Sequence, residues 1–162
     1  MTHTEFKKLF DIHFDTIRNY IYYRSGDPEL ATDIAQETFM RVWEKQVKIE
    51  KKKIKGLLFK IAGDLFISNY RRQKVVLQFK LNLKPDIVDH SPEDQLQFKE
   101  LKEKYETALA NLPEKQRTVF LMSRMEQLKY HEIAEILGLS VKAVEKRMKH
   151  ALDYLKKVIR ES

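Results

Sequence analysis

Apolar side chains along this chain recur every three to four residues, the period of one helix face, and nowhere sustain the alternation of a strand. The first stripe is Phe6, Leu9, Phe10, His13, Ile17, Tyr20 and Ile21, which predicts a helix with Thr4 as its cap. Gly26-Asp27-Pro28 ends it and starts a second, with Asp27 as cap and Pro28 at the first helical position, where its missing N–H costs nothing. That second helix is expected to bury Leu30, Ala31, Ile34, Ala35, Thr38, Phe39 and Val42. After a lysine-rich stretch, a third pattern runs from Gly56 to about Gln73 through Leu58, Ile61, Ala62, Leu65, Phe66 and Tyr70. Residues 75–90 lose the period and hold Pro85 among scattered Asn and Asp, the mark of a linker. Ser91-Pro92-Glu93-Asp94 restarts a helix with a cap, a proline and a carboxylate three residues after the cap. A further helix follows Leu112-Pro113-Glu114, with Val119, Phe120 and Met122 for its core.

The most specific pattern comes last. Ile133, Ala134 and Leu137 lie at helical spacing, then Gly138 stands where the chain must reverse, a place for a residue that tolerates positive φ. Ser140 can cap the next helix, whose inward stripe is expected to be Val141, Val144, Met148 and Leu152. This is the sequence form of a helix-turn-helix, whose second helix enters the major groove of DNA. Its outward flank would carry Lys142, Glu145, Lys146, Lys149 and His150. Lysine reaches guanine acceptors or phosphates, and glutamate accepts from a cytosine amino group. The bland alternative is an amphipathic surface helix with a solvated charged face.

The expected fold is therefore all-α, with two small helical domains at residues 1–74 and 91–162 joined by a flexible linker at 75–90. The chain has 162 residues with four Gly, four Pro and no Cys, which excludes disulfides, thiolate metal sites and cysteine nucleophiles. It shows no signal-peptide core and no apolar run of membrane-spanning length, so a soluble cytoplasmic protein without membrane insertion is expected. The five His are scattered without ligand spacing, the Gly are isolated, and no nucleophile–base pair stands out. No metal, cofactor or catalytic residue is expected.

Charge divides the chain more finely than its total of +7. Residues 1–45 carry a net −2, residues 46–85 a net +9, residues 86–110 a net −4 and residues 111–162 a net +4. Two positive blocks separated by an acidic one suggest two contacts with nucleic acid.

Three blocks carry a family resemblance. Asp33-Ile34-Ala35-Gln36-Glu37-Thr38-Phe39-Met40-Arg41-Val42-Trp43 resembles the core-polymerase-binding helix of bacterial sigma factors. Phe59-Lys60-Ile61-Ala62 through Tyr70-Arg71-Arg72 is similar to their −10-reading helix. Leu112-Pro113-Glu114-Lys115-Gln116-Arg117-Thr118-Val119-Phe120 resembles the start of their −35-reading domain. The blocks follow the family's order, and two domains alone resemble its extracytoplasmic-function group, sigma regions 2 and 4.

The resemblance implies a protein that binds core RNA polymerase and directs promoter recognition and transcription initiation without being an enzyme, since bond-making belongs to the polymerase. It places Asp33, Gln36, Glu37, Met40 and Trp43 against the basic clamp of the largest polymerase subunit. It assigns opening and reading of the −10 element to Lys52, Lys53, Lys55, Lys60, Asp64, Asn69, Tyr70, Arg71 and Arg72, with the lysine run in the position of a base-capturing loop. It assigns the −35 element to Ser140, Lys142, Ala143, Glu145, Lys146, Arg147, Lys149 and His150. An anti-sigma protein is the further partner implied. One departure stands out: Ala62-Gly63-Asp64-Leu65 replaces the Ala-Arg-Asn-Leu frequent in the family, at a helix cost of about 1 kcal/mol for the glycine. Two other readings remain, a helix-turn-helix regulator with an N-terminal dimerisation domain and an adaptor that binds polymerase without opening DNA. The first leaves the second cationic block without a purpose, and so does the adaptor.

Overall fold

The computed structural model describes residues 1–46, 50–70 and 92–160, and all of its regular structure is helical. Seven helices follow in order: α1 His3–Ser25, α2 Pro28–Glu44, α3 Lys51–Tyr70, α4 Pro92–Asn111, α5 Glu114–Arg124, α6 Tyr130–Leu137 and α7 Val141–Arg160. The expected all-α class holds. The expected linker at 75–90 lies outside the described residues, as do Ser91, Arg71 and Arg72.

Helix ends follow local chemistry. α1 begins two residues before its expected cap: Thr2, not Thr4, takes the first free N–H, and Glu5 bonds back to the Thr2 amide to close a capping box. Gly26 ends α1 at φ 67°, and Asp27 then accepts from the amides of Glu29 and Leu30 at 3.1 and 3.2 Å to start α2. α3 starts at Lys51, five residues before the expected start. The lysine run belongs to the helix because lysine is a good helix former and no breaker separates it from Gly56.

α1, α2 and α3 pack on one another around Ile17, Ile21, Ile34, Phe39, Val42 and Leu58, each at most 1% exposed. Phe6, Phe10, Phe14 and Trp43 extend this core as a chain of ring contacts ending on Phe39. α4 to α7 form a second group around Leu109, Leu121, Met122, Ile133, Val144 and Met148. α1 also lies against α5, and the buried side chains of both groups join in one continuous cluster.

Candidate functional site

α2 presents its polar side outward as the sequence suggests. Asp33, Gln36 and Glu37 are exposed, while Ile34, Ala35 and Thr38 beneath them are buried. The Thr38 hydroxyl is satisfied by donating to the Ile34 carbonyl at 2.7 Å, so a polar residue sits in the core without an orphan group. Glu37 pairs with Arg41 one turn on at 3.1 Å. Met40 is 58% exposed beside them. Trp43 is only half available: it packs on His3 and Phe6 with centroids 4.8 and 5.1 Å away.

On α3 the described cations and carboxylate share an open side. Lys53, Lys60 and Asp64 are exposed, Lys55 is half-buried, and Ile54, Leu58, Ala62 and Phe66 face the core. Asn69 is half-buried near the helix end, while Lys52 and Tyr70 fall on α3 with side chains outside the described set. The role expected of the lysine run as a loop is corrected by the structure, which places these residues in the first turns of a helix. Lys55 and burial together hold the nearby His13 imidazole below its usual pKa, burial being the larger cause.

The helix-turn-helix geometry is present in detail. α6 ends at Gly138, which adopts φ 67°, and the Ser140 hydroxyl accepts from the Ala143 amide at 3.1 Å to cap α7. Lys142, Glu145, Lys146, Lys149 and His150 are all exposed, and Ala143 and Arg147 are half-buried beside them. The inward stripe differs in register from the expected one. Val144, Met148, Ala151 and Leu155 are buried, whereas Val141 is 41% exposed and Leu152 half-buried. Val141 stands in the first turn, which projects past the packed part of α6, so helical spacing alone placed it wrongly.

Sequence reasoning missed the groups that tie the two helix groups together. Arg117 of α5 is 1% exposed, and its guanidinium donates to the carbonyls of Tyr23 at 2.8 Å, Arg24 at 2.8 Å and Leu112 at 3.0 Å. Two of those carbonyls belong to the last turn of α1, where helix carbonyls lack intrahelical partners and the helix dipole favours a cation. Arg24 bonds Glu114 at 2.7 Å and lies over the Phe66 ring at 4.5 Å. Burial works against the Arg24 charge, yet Tyr20 and Glu114 together raise its pKa above the ordinary arginine value. Glu126 accepts from Asn19 at 3.0 Å and from the Tyr23 hydroxyl at 2.7 Å. Burial first, and Glu126 second, push the Tyr23 phenol well above its usual range. These partners are separated by 90 to 107 residues, so no local signal could have paired them.

Beyond these bonds a cleft of about 870 Å³ separates α3 from the helix-turn-helix. Lys53, Lys55, Lys60 and Asp64 line one wall, and Glu114, Glu132, Glu135 and Arg147 line the other. Among the described residues no group of His, Cys, Asp and Glu could hold a metal ion, and no helix is long and apolar enough to cross a membrane.

Known proteins resemble this chain in two successive blocks. Residues 9–75 match the family Sigma-70 region 2, and residues 102–155 match Sigma-70, region 4. The ECF RNA polymerase sigma factor SigW of Bacillus subtilis (strain 168) is 31% identical, the alignment covering 96% of this chain and 89% of that protein. The ferric citrate uptake sigma factor FecI of Escherichia coli (strain K12) is 29% identical, covering 92% of this chain and 87% of that protein. Among solved structures, the sigma factor RpoE in complex with the anti-sigma factor NepR from Bartonella quintana superposes with a TM-score of 0.70 at 20% identity, covering 96% of this chain and 97% of that one. CnrH in complex with the cytosolic domain of CnrY gives a TM-score of 0.67 at 19% identity, covering 99% of this chain and 91% of that one.

Proposed function

This chain belongs to the sigma-70 family, in its extracytoplasmic-function group, and from that premise we propose how its residues share the work of promoter recognition. As a sigma factor it binds core RNA polymerase and directs transcription initiation, region 2 serving the −10 element and region 4 the −35 element. We assign region 2 to residues 1–74 and region 4 to residues 91–162. The chain works in the cytoplasm and performs no bond-making of its own; the polymerase does the chemistry.

Core docking falls to the exposed Asp33, Gln36 and Glu37, with Met40 as apolar anchor and the free edge of Trp43 beside it. Carboxylates against a basic clamp speed encounter and set register, and the apolar neighbours supply the buried area that holds the complex. The −10 strand is met by Lys53, Lys55 and Lys60 along α3, with Lys52, Asn69, Tyr70, Arg71 and Arg72 completing the face and Asp64 available to accept from a base amino group. The −35 duplex is read by α7. Ser140, Ala143 and Arg147 lie by the phosphates near its N-terminus, and Lys142, Glu145, Lys146, Lys149 and His150 lie along its outer flank.

The observation that carries this reading is the capped α7 with five charged or titratable side chains exposed on one flank, in the same chain as the exposed acidic face of α2. The solved relatives bound to NepR and to the cytosolic domain of CnrY support an anti-sigma partner for this chain as well. Fluorescence binding to core polymerase tests the docking face. Asp33→Lys with Glu37→Lys should abolish binding with the helical content unchanged, and normal binding by that double variant would remove these residues from the role.

A further inference from the structure

We propose that the free chain closes on itself, region 4 acting as an intramolecular occupant of the −10 face while leaving its own recognition helix open. The inference rests on the residue roles proposed above for α3 and α7, and it concerns how each face is gated.

The bonds between the halves are built from side chains that do little else. The Glu126 carboxylate accepts from Asn19 and Tyr23, both on α1 in the other half of the chain. Glu114 reaches Arg24, and Arg117 closes the open end of α1 through the Tyr23 and Arg24 carbonyls. Arg117 is too deeply buried to be a surface accident: its charge is held by backbone carbonyls from both halves. Gly63 fits the same arrangement. A Cβ there would lie 3.5 Å from the Tyr20 hydroxyl and 3.6 Å from Arg24 Nη1, so alanine fits while a longer side chain would displace Arg24. The glycine that departs from the frequent family pattern thus makes the notch in which Arg24 lies before it meets Glu114.

The consequence for DNA is one-sided. Lys53, Lys55, Lys60 and Asp64 look across the cleft at Glu132 and Glu135 of α6 and Glu114 of α5. Water reaches these lysines, but a strand laid along α3 would run into α6, and its phosphates would meet carboxylates. On α7, Lys142, Glu145, Lys146, Lys149 and His150 lie outside the cleft lining, and of the proposed −35 residues the cleft takes only Arg147. Closure therefore masks the −10 face and spares most of the −35 face. Opening is left to core polymerase, whose docking helix α2 lies outside the cleft lining.

The absence of native cysteine makes the test clean. Spin labels at Ser68→Cys on α3 and His131→Cys on α6, both exposed positions, should report one narrow distance in the free chain. Glu114→Ala with Glu126→Ala, and separately Gly63→Arg, should broaden and lengthen it. If the closed form holds about nine-tenths of the molecules, the affinity of the free chain for a single-stranded −10 oligonucleotide rises about tenfold in the Glu114/Glu126 variant, with −35 duplex binding unchanged. In the converse arm, Asn19→Cys and Glu126→Cys are joined by a short reducible crosslinker. The locked chain should keep −35 duplex binding, fail to open a promoter with core polymerase, and recover on reduction. A broad, long distance in the unaltered free chain, or a locked chain that opens promoters as fast as the reduced one, overturns the proposal. The sigma reading is scored separately by core binding of the reduced chain: its loss, with the narrow distance intact, would sink the assigned roles and leave the closure standing.

Discussion

α3 and α7 both set cations on an exposed helix side, yet they stand in different surroundings. The flank of α7 is open: its charged residues meet solvent, and its place in the fold is set by neighbours close in sequence, α6 and the Gly138 turn. The flank of α3 faces a wall supplied by residues from the other half of the chain, Glu114, Glu132 and Glu135. The same residue types therefore give a ready duplex-reading surface in one place and a gated surface in the other. Charge tells where nucleic acid can bind; packing tells when.

The most severe test of this contrast acts from beneath α3. Phe39 is 1% exposed at the centre of the aromatic cluster, and Phe39→Ala should cost about 3–5 kcal/mol. Because the two cores run together, differential scanning calorimetry should show a single transition moved down rather than the first half melting alone. Two resolved transitions in the parent protein would mean the halves are energetically separate. Next in size, Lys146→Ala with Lys149→Ala should weaken −35 duplex binding and lower its log–log salt slope by about 2, one for each phosphate that no longer meets a lysine. An unchanged slope would take these lysines off the DNA, and with them the contrast between the open and gated faces.

Smaller effects probe the α3 side in finer detail. Gly63→Ala should stabilise α3 by up to about 1 kcal/mol, read as a rise in melting temperature, because a Cβ fits beside Arg24 without displacing it. A loss of stability would mean the notch is too tight for even one added carbon. The smallest effect concerns His13, whose pKa is lowered from 6.5 by burial and then by Lys55. Below that value the unfolded chain takes up a proton that the folded one resists, so stability falls as pH drops through the window just under 6.5 and levels off above it. His13→Gln should flatten the melting temperature over that window; an unaltered pH profile would assign the dependence to other groups.

Legibility varied with the range of the signal. Caps and turns were readable where one short segment contained every participant: Asp27-Pro28, Gly138 and Ser140 all act as their chemistry suggests. Thr2 was missed in favour of Thr4 because both hydroxyls precede the same apolar stripe, and only the return bond from Glu5 decides between them. The exposed face of α2 was also readable, since Ile34, Ala35, Thr38 and Phe39 fix which side is inward. The inward stripe of α7 was read one turn too early, because Val141 has the right spacing but no neighbour to cover it. The lysine run was read as a loop because charge was weighed above propensity, although nothing in it breaks a helix.

By itself the sequence determined the helices, most of their caps, the recognition surface of α7 and the family, because these depend on residues within a few turns of one another. Only the tertiary structure decided that Arg117 closes the end of α1, that Gly63 leaves room for Arg24, and that acidic α6 faces cationic α3. Those pairings join side chains tens of residues apart. Their energies come from burial and charge at one point in space, a coincidence to which no periodicity along the chain corresponds.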